Sequence, residues 1–270
     1  MTQRRGCFEH RAYDVSKDIA PILRDWPHEP GKISVRKIRG GDGRVKIQLR
    51  LDLGLLQMEA EGRPDGQRPY KCESLLAYAE QLLARHRRSH GTDAGFTIDE
   101  KHCELLRSEA IQYYYRYLSE FVLEDYEAVA RDTGRNLQVL DFCAKYAEEE
   151  SDRYIMEQYR PYILMMNTRA RAHLALRDNR PRQARKIVLE ALTKMEGFFN
   201  RFGQEDLYDS SSEVAVLSAL LKDIETKIPQ DPLKRLKQEL AEAVEEERYE
   251  DAARLRDAIH RATRLGPSGA

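Results

Sequence analysis

The sequence lacks the features that mark membrane, secreted and zinc-binding proteins. No apolar run approaches the roughly 18 residues needed to cross a bilayer, and the stretch from Met1 to Phe8 is too polar for a signal peptide. The four cysteines lie far apart with no pair at Cys-x-x-Cys spacing, which favours reduced thiols over a disulfide framework or a zinc site. We therefore expect a cytoplasmic protein with no membrane partner.

An excess of charge of one sign is also lacking. The 45 lysines and arginines nearly equal the 46 aspartates and glutamates, so the formal net charge is −1. A chain with this composition has no global field that attracts DNA, because the opposite charges cancel at long range. Any contact with nucleic acid must therefore be local.

Recognisable catalytic signatures are missing as well. The chain contains no glycine-rich phosphate loop, no His-Glu-x-x-His, no Gly-x-Ser-x-Gly and no paired carboxylates in a known frame. His86 and His90 invite a metal hypothesis with the nearby His102 and Cys103, but their charged surroundings favour a solvated cluster. We expect no catalytic residue, no cofactor and no metal. The competing enzyme hypothesis is a metal-dependent nuclease or other hydrolase that uses Asp52, Glu59 and Asp65.

Residues 1–95 are predicted to form an irregular lead-in, a β-hairpin and one helix. The lead-in, Met1 to Pro30, shows little periodicity. Strands from Ile33 to Arg39 and from Arg44 to Asp52 flank a glycine-rich turn at 40–43, whose composition suits the positive φ angles of a tight hairpin.

Two further elements are expected after this hairpin. Gly54 is predicted to break or bulge the second strand before Leu55 to Ala60 continues it. The segment 61–66 is a turn-rich loop, and Glu73 to Arg88 has helical spacing.

The second strand alternates strictly between apolar and polar residues, so one side is expected to pack while the other meets water or a partner. The apolar side comprises Val45, Ile47, Leu49, Leu51 and Leu53. A basic hairpin face offers a possible grip on phosphates, although it lacks aromatic residues for base stacking. It comprises Arg36, Lys37, Arg39, Arg44, Lys46 and Arg50.

Residues 96–228 are predicted to form a helical array, which makes the fold mainly α (α+β). Thr97 and Glu100 form a capping-box pair before a long helical run that Gly134 and Arg135-Asn136 punctuate. Pro161 begins another helix, and residues 178–181 form a turn before a further one through Phe199. A last amphipathic helix extends from Ser211 to Lys227.

The helix pair between Tyr162 and Phe199 has small residues at spacings similar to a tetratricopeptide (TPR) repeat. These are Ala172, Ala184, Val188 and Ala191. Small side chains let two helices approach closely, so we describe the array as TPR-like.

Residues 229–270 contain the most informative pattern. Apolar residues recur at three- and four-residue intervals along two helices. They are Leu233, Leu236, Leu240 and Val244 in the first helix, and Ala252, Leu255, Ile259 and Ala262 in the second. The proline-bounded linker before them contains Asp231, which can cap, and Pro232, which can open the first helix.

The motif Leu233-x-x-Leu236-x-x-x-Leu240 followed by Tyr249-Glu250-Asp251-Ala252-Ala253-Arg254-Leu255-Arg256-Asp257 closely resembles the UVR motif, named for the bacterial excision-repair subunits UvrB and UvrC. The main departure is Tyr249, where the family usually has phenylalanine. Similarity covers only about an eighth of the chain, but an aromatic, two alanines and an Arg-Asp pair at fixed offsets form a specific signature.

The resemblance implies an interaction module with no catalytic residue. In that family the hairpin pairs with a second hairpin, either its own copy in a dimer or that of a partner subunit, and it also occurs in regulators of Clp proteolysis. We expect a coiled-coil type of contact through these hairpin residues: Leu233, Leu236, Leu240, Val244, Tyr249, Ala252, Leu255, Arg256 and Ile259.

Charges along the hairpin are segregated. The first helix begins with Lys234, Arg235 and Lys237 and ends with three glutamates, which is unfavourable for the helix dipole. Two hairpins packed head to tail would place the acidic turn end of each hairpin against the basic open end of the other. The sequence thus predicts a non-enzymatic adaptor or regulator linked to excision repair or Clp-type proteolysis. The alternatives are a DNA-binding repair accessory protein and the nuclease named above.

Overall fold

A computed structural model describes residues 18–228 and 232–264, except the side chains at 232–235, 238 and 262–264. The structure of this part of the chain is mainly helical with one small antiparallel sheet, as predicted. The chain divides into two compact units, Met1–Arg171 and Ala172–Ala270. This division falls inside the helical array that the sequence predicts for 96–228. No helix within the described ranges is long and apolar enough to span a bilayer.

The sheet has three strands rather than two. Strands β1 (Val35–Arg39), β2 (Val45–Arg50) and β3 (Leu55–Glu59) pair antiparallel in sequence order. The lead-in before them contains a short helix, α1 (Ala20–Arg24), that the sequence did not predict.

The prediction that Leu55 to Ala60 continues the second strand is wrong, because the chain reverses direction at 51–54. The guanidinium of Arg50 donates to the carbonyls of Asp52 and Gly54, at 3.2 and 2.9 Å, and so stabilises the reversal. The Leu51 N–H also donates to the Gly54 carbonyl at 2.9 Å. Leu51 and Leu53 therefore leave the packed side of the strand and are exposed.

Both sides of β2 are covered, which corrects the prediction of one open side. Ile47 and Leu49 pack with Met58 of β3 and with Tyr115. On the other side Lys46, Gln48 and Arg50 are also buried, since hydrogen bonds satisfy their polar atoms.

Helices α2 (Leu75–His90) and α3 (Glu100–Val122) begin at residues that accept hydrogen bonds from the first turn. Ser74 accepts from the Ala77 N–H at 3.1 Å. Asp99 accepts from the His102 N–H at 2.9 Å, so it caps α3 in place of the predicted Thr97–Glu100 pair.

The break in the long helical run lies at 123–125, not at Gly134 to Asn136. Glu124 has φ +57°, and Asp125 caps α4 (Tyr126–Tyr146). Gly134 lies inside α4, while the Asn136 side chain donates to the Ala110 carbonyl of α3 at 2.9 Å. Asn136 thus joins two helices instead of ending one.

The main core of the first unit lies among α2, α3 and α4. Its buried side chains include Leu76, Leu83, Leu106, Val139 and Leu140. Tyr113 and Tyr117 of α3 are buried as well. The short helix α5 (Glu150–Tyr154) follows α4.

Helices α6 (Arg160–Arg177), α7 (Pro181–Arg201) and α8 (Ser212–Lys227) follow. The turn predicted at 178–181 is found at 178–180, with Asn179 at φ +55° and the Arg180 N–H donating to the Ala175 carbonyl, and Pro181 begins α7. Ala184, Val188 and Ala191 are buried along α7. The α8 cap is Ser211, which accepts from the Val214 N–H at 3.3 Å. The predicted linker cap Asp231 lies outside the described residues.

Candidate functional site

The chain beyond residue 231 forms an antiparallel helical hairpin, α9 (Pro232–Glu245) and α10 (Tyr249–Arg264). Proline is favourable at the start of α9, where its missing N–H is not needed. Glu247 adopts φ +57°, and the Arg248 N–H donates to the Ala243 carbonyl at 2.8 Å. This three-residue connection brings the two helices side by side.

Alanines are the most buried of the described side chains in the hairpin. Ala243 of α9 is fully buried, and Ala252 of α10 is 8% exposed. Because a methyl group takes little room, two backbones can approach closely at these positions. Leu236, Leu240 and Leu255 are only partly buried. The buried side chains of the hairpin are therefore alanines, and its larger apolar side chains remain partly accessible.

Among the described large apolar side chains of the hairpin, the two most exposed lie at its turn end. Val244 is 53% exposed and Tyr249 is 69% exposed. A phenol ring at the surface offers apolar area and a hydroxyl that can hydrogen-bond to a partner. These two residues flank the turn, so they extend the leucine row to the tip of the hairpin.

Arg248 organises the charges at this tip. Its Nε lies 2.8 Å from the carboxylate of Glu246, and its Nη1 lies 3.0 Å from that of Asp251. These carboxylates raise the pKa of Arg248. Five carboxylates nevertheless surround this one arginine in the sequence, and they are Glu245, Glu246, Glu247, Glu250 and Asp251. The tip therefore keeps a negative surplus.

The structure places the predicted partner-binding residues in three settings. Ala252 is buried between the helices, while Ile259 is partly exposed like the leucines. Arg256 is exposed, with its Nε 4.0 Å from Asp257. The side chain of Leu233 lies outside the described residues. Sequence reasoning missed Ala243 and Arg248, although the small residue in α9 opposite the Ala252-Ala253 pair was a usable signal.

The six basic residues assigned to one hairpin face lie on two faces. Pairing of Arg36 with Gln48 and of Lys37 with Ile47 places Arg36 and Lys37 on opposite sides of the sheet. Arg39 follows Lys37 by two positions and shares its side.

Intramolecular contacts engage these basic side chains. The Arg36 guanidinium lies 4.1 Å above the Trp26 ring, Lys37 pairs with Asp125 at 2.7 Å, and Arg39 donates to the Gly43 carbonyl. Arg44 and Lys46 both pair with Asp42 and Glu59, and Arg50 donates to backbone carbonyls. Such contacts compete with any phosphate. Nucleic-acid binding by this set remains a prediction.

The three acidic residues of the nuclease hypothesis are not brought together. Asp52 lies in the turn between β2 and β3, whereas Glu59 is at the far end of β3, about 13 Å along the strand. Asp65 pairs with Arg63 at 3.3 Å. Among the described residues, no group of three or more histidine, cysteine or acidic side chains has the geometry to hold a metal ion.

The cysteines and histidines have identifiable surroundings. Cys72, Cys103 and Cys143 are free thiols, and Cys7 lies outside the described residues. The rings of His86 and His90 stack 4.2 Å apart, and each ring also lies within hydrogen-bond distance of a backbone carbonyl. His102 lies 2.6 Å from Asp99.

The hairpin defines a two-helix module with accessible apolar residues. Comparison with known families agrees with the resemblance noted from the sequence, because residues 230–261 match the family model of the UvrB/uvrC motif. The prediction of a UVR motif is therefore confirmed. No curated protein and no solved structure matches the chain.

Proposed function

We propose that this chain is a non-enzymatic, cytoplasmic adaptor or regulator that docks through the α9–α10 hairpin onto a second hairpin of the same kind. The second hairpin belongs to another copy of the chain or to a partner protein. The observation that carries this proposal is the accessible apolar row of the hairpin, which ends in Val244 and Tyr249.

A two-helix hairpin favours association on physical grounds. Two short helices bury little apolar area against each other, and structures of this size usually need further contacts for stability. Among the described hairpin side chains, only those of Ala243 and Ala252 are buried. A second hairpin would cover Leu240 and Leu255, and each covered leucine contributes about 1.5–3 kcal/mol.

In our proposal the docking takes place in excision repair or in Clp-type proteolysis, because these are the processes that the resemblance to the UVR motif implies. The TPR-like helical array supplies a second surface. Within it, α7 and α8 pack against each other, and the side chains of Arg185 and Glu225 pair across them at 2.9 Å. A module with two surfaces fits an adaptor that connects one partner to another.

The test uses the full chain and the double variant Leu240→Asp, Leu255→Asp. Sedimentation measures self-association, and a pull-down with the UVR hairpin of UvrB measures pairing with another protein. We expect the double variant to lose association by 100-fold or more, because two charges would be buried in the contact. The matched control is Leu207→Asp, since Leu207 is 49% exposed and lies outside the hairpin.

Two results would contradict the proposal. The first is association that persists in the double variant while circular dichroism shows an unchanged helix content. The second is a wild-type chain that neither self-associates nor pairs with the probe hairpin. Loss of binding in Leu207→Asp would instead place the contact outside the hairpin.

A further inference from the structure

The first unit contains a polar cavity of about 530 Å³, bounded by the loop after β3 and by α3 and α4. Cavities of this volume are typical of small-molecule sites. Its wall includes six arginines and three carboxylates. The arginines are Arg44, Arg63, Arg68, Arg116, Arg131 and Arg135. The carboxylates are Glu61, Glu73 and Asp132.

Two of these arginines are committed to the fold. Arg116 pairs with Asp132 through Nε and Nη2, at 2.5 and 2.8 Å, and its Nη1 donates to the Gly62 carbonyl at 2.7 Å. Arg131 pairs with Asp132 at 2.9 Å and with Glu61 at 3.2 Å. Together they fix the loop wall, including Gly62 at φ +71°, so the cavity is formed in advance.

Arg63 and Arg135 both lie against one carboxylate, and Arg63 also pairs with Asp65 at 3.3 Å. The Nε of Arg63 is 3.1 Å from Glu109, and Nη2 of Arg135 contacts the other oxygen of Glu109. Glu109 is fully buried and also accepts the Leu75 N–H at 2.8 Å. It is not part of the cavity wall, so the arginines stand between it and the cavity.

Arg135 is left with an incomplete set of partners. Its Nη1 donates to Asn136 at 3.0 Å, and its guanidinium lies 4.1 Å from the Tyr113 ring centre. The buried Nε has no hydrogen-bond partner among the described residues. Burial and the neighbouring Arg63 lower the pKa of Arg135 to about 9. A buried N–H donor such as this Nε normally has a hydrogen-bond partner.

Arg68 adds an exposed cation to the same wall. Within the described ranges its side chain has neither an ion pair nor a hydrogen bond, in contrast to Arg44, which pairs with Asp42 at 2.8 Å. Glu73 is the wall carboxylate without an ion pair among the described residues, because Glu61 pairs with Arg131 and Asp132 pairs with Arg116. Arg68 and Glu73 are therefore the wall charges without a partner among the described residues, and the Nε of Arg135 adds a buried donor without an acceptor.

We propose that this cavity binds a small molecule through a phosphoryl group, with Arg63, Arg68 and Arg135 as its cationic contacts. Three guanidinium groups suit a phosphoryl group, which has three acceptor oxygens and up to two negative charges. The planar fork of arginine is also the side chain best matched to phosphate geometry. This site is independent of the hairpin and of the function proposed for it.

Isothermal titration calorimetry of the full chain at low salt tests the site, with inorganic pyrophosphate as the probe and citrate as the carboxylate comparison. We expect pyrophosphate to bind and citrate to bind at least tenfold more weakly. Arg68→Ala should weaken pyrophosphate binding by about tenfold, since one charge-assisted contact is lost. Arg68 is exposed, so this change leaves the fold intact.

Two further variants sharpen the test. Glu73→Gln should tighten pyrophosphate binding by about threefold, because it removes a repulsive charge from the wall. Arg88→Ala is the matched control, since Arg88 is an exposed arginine of α2 outside the cavity, and it should leave binding unchanged. The proposal is overturned if wild type does not bind pyrophosphate, if citrate binds as tightly, or if Arg68→Ala and Arg88→Ala behave alike.

Discussion

Arginines and carboxylates are abundant in both the first unit and the hairpin, but the two regions use them in opposite ways. In the first unit, Arg116 and Asp132 are each only 1% exposed and bind each other through two hydrogen bonds. In the hairpin, Arg248 is 48% exposed and pairs with carboxylates at the surface. The same residue types are therefore buried within the fold in one region and exposed at the surface in the other.

Burial decides how much each pair contributes. Removing one member of a buried pair leaves an uncompensated charge and costs about 3–5 kcal/mol. An exposed pair contributes about 0–1 kcal/mol, because water and salt screen the charges. The comparison thus makes a definite claim about which substitutions affect stability and which affect association.

The largest effect is expected from Asp132→Ala, which removes the carboxylate that the buried Arg116 binds through two hydrogen bonds. The free energy of unfolding should fall by about 3–5 kcal/mol in urea denaturation. The control is Asp223→Ala, which breaks an exposed pair with Lys227 at 2.7 Å and should change stability by less than about 1 kcal/mol. Similar losses in the two variants would erase the distinction between the regions.

A pH-dependent effect of intermediate size is expected from Glu120. Burial, helped by Asp132, raises the pKa of its carboxyl from 4.5 to about 8, against the opposing effect of Arg116 and Arg131. Between these values the unfolded chain releases a proton that the folded chain keeps. The contribution of Glu120 to stability is therefore present below about pH 4.5 and is lost as the pH rises to about 8.

The variant Glu120→Gln removes this titration. Relative to wild type, it should gain stability as the pH rises from 5 to 9, by up to a few kcal/mol, since a pKa difference of one corresponds to about 1.4 kcal/mol. Urea denaturation at several pH values measures the difference. Glu190→Gln, at an exposed position of α7, should run parallel to wild type. Parallel curves for Glu120→Gln as well would mean that the buried carboxyl is ionised throughout.

The smallest effect concerns the charges of the hairpin tip. If the acidic turn end of one hairpin attracts the basic open end of another, salt should weaken the association. We expect a loss of up to about tenfold between low salt and about 1 M salt, where the Debye length is near 3 Å. Glu247→Gln with Glu250→Gln should reduce this dependence, and sedimentation at both salt concentrations measures it. Association that is unaffected by salt would show that the exposed charges contribute nothing to docking.

Local patterns in the sequence were sufficient for elements whose stability is local. The three- and four-residue spacing of leucines and alanines predicted both hairpin helices, and the turn at 178–180 followed from its residue types. The capping residue of α3 was missed by two positions, because Thr97 and Asp99 are both able to cap a helix. Gly134 was misinterpreted because a glycine inside a helix has the same local signature as a break.

The candidate sites show the same division. The UVR motif could be recognised because its residues are contiguous along two adjoining helices. The cavity could not, because Arg63, Glu109 and Arg135 come from a loop and two different helices, and nothing local marks them as neighbours. The open face predicted for β2 failed for this reason too, since Trp26, Glu59 and Asp42 cover its basic side chains from other segments.

By itself the sequence determined the helical periods, the existence of strands and the UVR hairpin, since these depend on residues a few positions apart. Tertiary structure alone decided that the chain reverses direction between β2 and β3. It also decided that Arg116 and Asp132 are buried together, and that Arg63 and Arg135 share Glu109. The physical reason is that the residue type alone does not reveal whether a charged side chain is solvated or buried in an ion pair. Only the surrounding packing determines which of the two states has the lower free energy.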